Sequence, residues 1–87
     1  MARTIEELKK AVEGIDGIRF INNEFVIDAQ EDISISAHTV NLDKIIDFEI
    51  QPGEIWLQTG KTTIKYFYND GAGWQVGYPS IRTIPHF

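Results

Sequence analysis

The chain has no cysteine in its 87 residues, only three prolines, one methionine and two histidines. The missing cysteine removes thiol nucleophiles, thiolate zinc sites and iron–sulfur ligation together, and leaves no disulfide to support a small core. It accords with a reducing compartment. His38 and His86 stand far apart, with no H-x-x-x-H pair to start a metal site. None of Ser34, Ser36 and Ser80 sits in a nucleophile elbow. The glycines are scattered and never cluster between a strand and a helix, so the phosphate-loop and dinucleotide fingerprints are absent. No apolar run approaches the ~18–20 residues that a membrane span needs. The first ten residues read as the start of an amphipathic helix rather than a signal peptide. The expectation is a cytoplasmic, non-enzymatic protein without cofactor or metal.

Bases are also scarce where acids are dense. From residue 24 to 54 there are eight acids (Glu24, Asp28, Glu31, Asp32, Asp43, Asp47, Glu49, Glu54) against Lys44 alone, a local charge of −7 within a net −5. From residue 61 onward Lys61, Lys65 and Arg82 against Asp70 leave +2. An acidic middle repels phosphate backbones and anionic headgroups, so neither nucleic acid nor membrane is the expected partner. A basic protein surface is. Asp28, Glu31 and Asp32 lack the D-x-D-x-D-G order of a calcium loop. Asp47 and Glu49 share a strand face about 7 Å apart, but nothing apolar in the sequence marks either carboxylate for acid–base work.

What is present is apolar patterning. Residues 1–87 are short enough for one domain, and 43% are hydrophobic, 11% aromatic. Thr4 followed by Glu7 is a capping box. Ile5, Leu8, Val12 and Ile15 then form one stripe at helical period, opposite Glu6, Lys9, Lys10 and Glu13, with Gly14 and Gly17 ending the helix.

Strands follow. Ile18 to Ile21 and Glu24 to Asp28 read as a hairpin joined by Asn22-Asn23, and Gln30 to Asp32 as a polar break. Ile33-Ser34-Ile35-Ser36 alternates, with isoleucine expected inward and serine outward. Ala37 to Lys44 reads either as a short strand around Val40 or as a loop carrying Val40 and Leu42 inward. Three regular strands span Ile45 to Tyr68, turning at Pro52-Gly53 and at Gly60-Lys61. Trp74 to Val76 closes the sheet, and the proline-bearing tail reads as an edge strand or an extended segment.

The implied fold is α+β: one N-terminal amphipathic helix packed on an antiparallel meander sheet of about six strands, curled or not into a partial barrel. On strand spacing, one face carries Ile46, Phe48, Ile50, Ile55, Leu57, Ile64 and Tyr66 as the floor of the core. The reverse carries Asp47, Glu49, Trp56, Gln58, Lys65 and Phe67.

Large aromatics are numerous for so thin a core, and partly exposed Trp and Tyr are typical interface anchors. The binding surface is therefore expected among Asp47, Glu49, Trp56, Gln58, Phe67, Trp74 and Tyr78, unless the tail (Tyr78, Ile81, Ile84, Phe87) folds over it. Its first reading is an acidic protein-binding module, an adaptor or stoichiometric inhibitor. In size and charge alone the comparison is with small phage or mobile-element proteins that block nucleases. The alternatives are a self-assembling module, through a sheet face, an edge strand or the tail, and a domain that stacks a small ligand on Trp and Tyr.

Overall fold

The computed structural model describes residues 4–31 and 33–78. The described residues fold as one helix and a curled, mixed sheet of seven strands that forms a half-barrel. The helix α1 spans Ile5–Ala11. The strands are β1 (Ile18–Ile21), β2 (Glu24–Glu31), β3 (Ser34–Asn41), β4 (Asp47–Gln51), β5 (Glu54–Gln58), β6 (Ile64–Asn69) and β7 (Trp74–Gly77). A 3-10 turn, Leu42–Lys44, joins β3 to β4.

The helix begins as its sequence dictates. Thr4 accepts from the Glu7 amide while the Glu7 carboxylate accepts from the Thr4 amide, which satisfies two of the donors that a helix start leaves open. Its stripe is buried as patterned, with Leu8 and Val12 in the core and Ile5 and Ile15 against it. Each such side chain removed from water contributes about 1.5–3 kcal/mol. The helix is shorter than its stripe, because Val12 already caps it and Gly14 turns away at φ 82°. It also sits at one end of the half-barrel rather than flat on a sheet face. Ala11 and Ile15 line one cavity with Pro52 and Gly53 of one turn, Asn69 and Gly71 of another, and Trp74.

The sheet departs from a meander at two places, since β3 does not pair with β4 and β7 joins β2. β4, β5, β6 and β7 do follow one another antiparallel, but β7 then lies parallel to β2, pairing Ala29 with Trp74 and Gln30 with Gln75. The order is β1-β2-β7-β6-β5-β4, with β3 on the other edge of β2. β2 and β3 are both eight residues long, so the expected polar break at Gln30 and Glu31 is strand instead. The Asn22-Asn23 hairpin is present, both residues at positive φ (51° and 63°), which asparagine tolerates.

Three face assignments differ from the local pattern. In β3, Ile35 is 67% exposed while Ser36 is half-buried. The partner strand decides this. Phe25, Ile27 and Ala29 of β2 face the core, and their opposite numbers are Val40, His38 and Ser36. Ile46 precedes β4 and is 47% exposed; its amide donates to Gln58 O, out of step with the ladder below.

The third difference is in β6, where Phe67 rather than Tyr66 faces the core, 3% exposed. A two-residue turn at Gly60-Lys61 would pair Thr59 with Thr62 and hence Ile55 with Tyr66. The connection is residues 59–63, closed by the Thr59 amide on Thr63 O, and it pairs Gln58 with Ile64 and Ile55 with Phe67. That one-residue shift turns every β6 side chain over.

The core joins Phe25, Ile27, Ala29, Val40, Leu42, Phe48, Ile55, Leu57, Phe67 and Trp74 to the two helix residues. The expectations for Asp32 and for the tail beyond Tyr78 fall outside the described residues.

Candidate functional site

The convex face of β4, β5 and β6 carries the chemistry the sequence singled out. Cross-strand partners share a face, so register builds it in rows. One row runs Glu49, Trp56, Tyr66, Gly77. The next runs Gln51, Glu54, Tyr68, Gln75, and the third Asp47, Gln58, Ile64.

The aromatic rings form a continuous stack. Trp56 and Tyr66 lie with centroids 4.0 Å apart and planes within 25°. Tyr66 and Tyr68 follow at 6.0 Å and 29°. Gly77 makes room for this, since a Cβ there would collide with Cδ2 and Cε2 of Tyr66 and press on Tyr68.

Tyr66 donates its hydroxyl to Glu54 Oε2 at 2.8 Å. Burial first, then that hydrogen bond and the negative charge of Glu54, push its pKa up to about 12. The phenol thus stays protonated and donating throughout the physiological range. Trp56 is 2% exposed, and its buried Nε1 has no hydrogen-bond partner among the described residues. An indole N–H in that state gives up a contact worth roughly 1–3 kcal/mol.

The seven residues expected at the site divide. Asp47, Glu49, Trp56 and Gln58 lie together on this face, the acids and Gln58 half-buried and Trp56 beneath the surface. Tyr78 follows β7 and is 93% exposed. Phe67 belongs to the core, for the register reason given above. Trp74 is also core, 5% exposed, its Nε1 donating to Asp16 O at 3.1 Å. Both lack the accessible surface that an interface anchor needs.

Sequence reasoning missed Tyr66, Tyr68, Glu54 and Gly77. A signal for two of them was there. In Tyr66-Phe67-Tyr68 the ring without a hydroxyl is the one that enters a dry core without needing a partner, which sends both phenols outward.

No protein-family model, curated protein or solved structure matches this chain. Among the described residues no helix is long and apolar enough to cross a membrane.

Proposed function

We propose that this chain is a small non-enzymatic protein-binding module whose β4–β6 outer face receives a basic surface of a larger partner, as an adaptor or stoichiometric inhibitor. The observation that carries the reading is the interleaving of acid and aromatic on one face. Glu49 stands opposite Trp56, and Glu54 stands opposite Tyr68 while holding the Tyr66 hydroxyl. Carboxylates of one sign steer a basic partner and set its register, and the rigid stack supplies contact area at little entropic cost. Tyr68 and Tyr78 are the aromatics a partner would reach, with Trp56 and Tyr66 as the platform beneath Tyr68. Stacking of a small ligand on an indole finds less support, since Trp56 and Trp74 both lie beneath the surface.

The test is quantitative capture of partners from lysate at low and high salt. It compares the wild type with Tyr68→Ala and with the double variant Asp47→Lys, Glu49→Lys. The reading requires a salt-sensitive partner that both variants lose while their circular dichroism stays unchanged. Equal recovery by the charge-reversed variant rejects it.

A further inference from the structure

Among the described residues the long strand β3 is an unguarded edge, and we infer that it pairs with β3 of a second copy of this chain, antiparallel about a twofold axis near Ala37. Natural sheets blunt their edges with lysine, proline, bulges or very short strands. β3 runs for eight residues, Ser-Ile-Ser-Ala-His-Thr-Val-Asn, with no acid, lysine, arginine or proline. The other edges differ. β1 has four residues, carries Arg19, and has Lys9 over its Phe20 ring. β4 carries Asp47 and Glu49.

The ladder shows which groups are available. The Leu42 amide donates to Asn23 O, so in the β2–β3 register Val40, His38 and Ser36 share the hydrogen bonds to β2. The main-chain N–H and C=O of Ile35, Ala37 and Thr39 therefore point away from β2, and nothing among the described residues pairs with them. Their side chains are exposed as well, Ile35 at 67%, beside an Ile33 that is wholly exposed.

A second copy fits this edge by charge and by symmetry. The chain carries −5 overall, so two copies repel over most of their surface, and β3 is an eight-residue stretch without an acid. The nearest acid opposite Ala37, Asp28, is held by Arg19. A twofold at Ala37 sets Ile35 against Thr39 of the second copy and Ala37 against its own equivalent, with no like charges opposed. Such an isologous contact uses each β3 edge once, so assembly closes at two. One strand from each copy makes an interface at or below the ~1,200 Å² of the smallest stable complexes, so the dimer dissociates on dilution. The inference does not depend on the function proposed above.

Sedimentation velocity over a concentration series, with two variants, tests this. The wild type is expected to shift from monomer to dimer as concentration rises. Ile35→Lys is expected to stay monomeric with an unchanged circular dichroism spectrum. So is Ala37→Pro, whose lost N–H is not part of the β2 ladder. Because the chain has no cysteine, Ala37→Cys alone is expected to give a disulfide-linked dimer on mild oxidation, far faster than Lys61→Cys. A wild type that is monomeric throughout overturns the inference, including one that binds only unrelated extended peptides. So does a dimer that Ile35→Lys leaves intact.

Discussion

Tyr66 lies over Gly77, held there between Trp56 on one side and its own hydrogen bond to Glu54 on the other. The absent side chain at position 77 is what lets the ring lie down on the sheet. Gly77→Ala is therefore expected to destabilise the fold by about 1–3 kcal/mol, the usual cost of forcing extra volume into packed rings. Chemical denaturation measures it. In the Tyr66→Ala background the same substitution should cost much less, and additivity in that double-mutant cycle would show that the two residues are not coupled.

Trp56 reads as an anchor in the sequence and as a buried platform in the structure. Trp56→Ala should cost about 3–5 kcal/mol of stability, the range for removing a large buried aromatic. Trp56→Phe should cost less, since it keeps a ring on Tyr66 and removes an indole N–H that has no partner among the described residues. Thermal melts of the two variants give the ranking, and an alanine variant as stable as the wild type would contradict the burial.

Tyr66 sets a limit on alkaline stability. Its pKa is about 12 in the fold, raised by burial and by Glu54, against the ordinary 10.0. A raised pKa means the folded state favours the proton. The contribution is fully present below pH 10 and is lost as pH climbs from about 10 to 12. Stability should fall across that window more steeply in the wild type than in Tyr66→Phe. In phenolate absorbance the variant should lack the highest-pH phase. Glu54→Gln removes the carboxylate but not the burial, so it should lower that pKa only in part.

The 59–63 connection can be tested by its length. Deleting Thr62 leaves Gly60-Lys61 as a two-residue turn between Thr59 and Thr63, which keeps Ile55 opposite Phe67. The deletion variant should therefore unfold as cooperatively as the wild type. A broad transition without a baseline would mean that the loop kept three residues and slid β6 along β5, turning Phe67 outward and Tyr66 and Tyr68 into the core.

That loop also marks where the sequence stopped being legible. The helix start, the Asn22-Asn23 hairpin and the β4–β5 turn at Pro52-Gly53 were readable because each is decided by residues within a few positions of one another. The facing of Ile35 and Phe67 was not. Ile33-Ser34-Ile35-Ser36 alternates as well in either orientation, and only Phe25, Ile27 and Ala29 on the neighbouring strand choose between them. For β6 the choice rests on how many residues the turn contains, and glycine followed by lysine does not state that number. The candidate site was half legible for the same reason. Asp47, Glu49, Trp56 and Gln58 share one hairpin, whose two-residue turn fixes their faces, whereas Phe67 lies across the longer connection.

The parallel contact of β2 with β7 has a consequence in time. β1, β2 and β3 are complete at Asn41, yet the strand that covers Ala29 and Gln30 begins only at Trp74. The Trp74 indole reaches back to Asp16, across 58 positions, and packs beside Gly17. As the chain leaves the ribosome, its first half must therefore wait with that side of β2 unmatched and a gap at the foot of the helix. Long-range closures of this kind slow folding and are made late. β7 is the keystone of the described sheet, and a nascent chain stalled before Trp74 would present sticky backbone rather than a finished half.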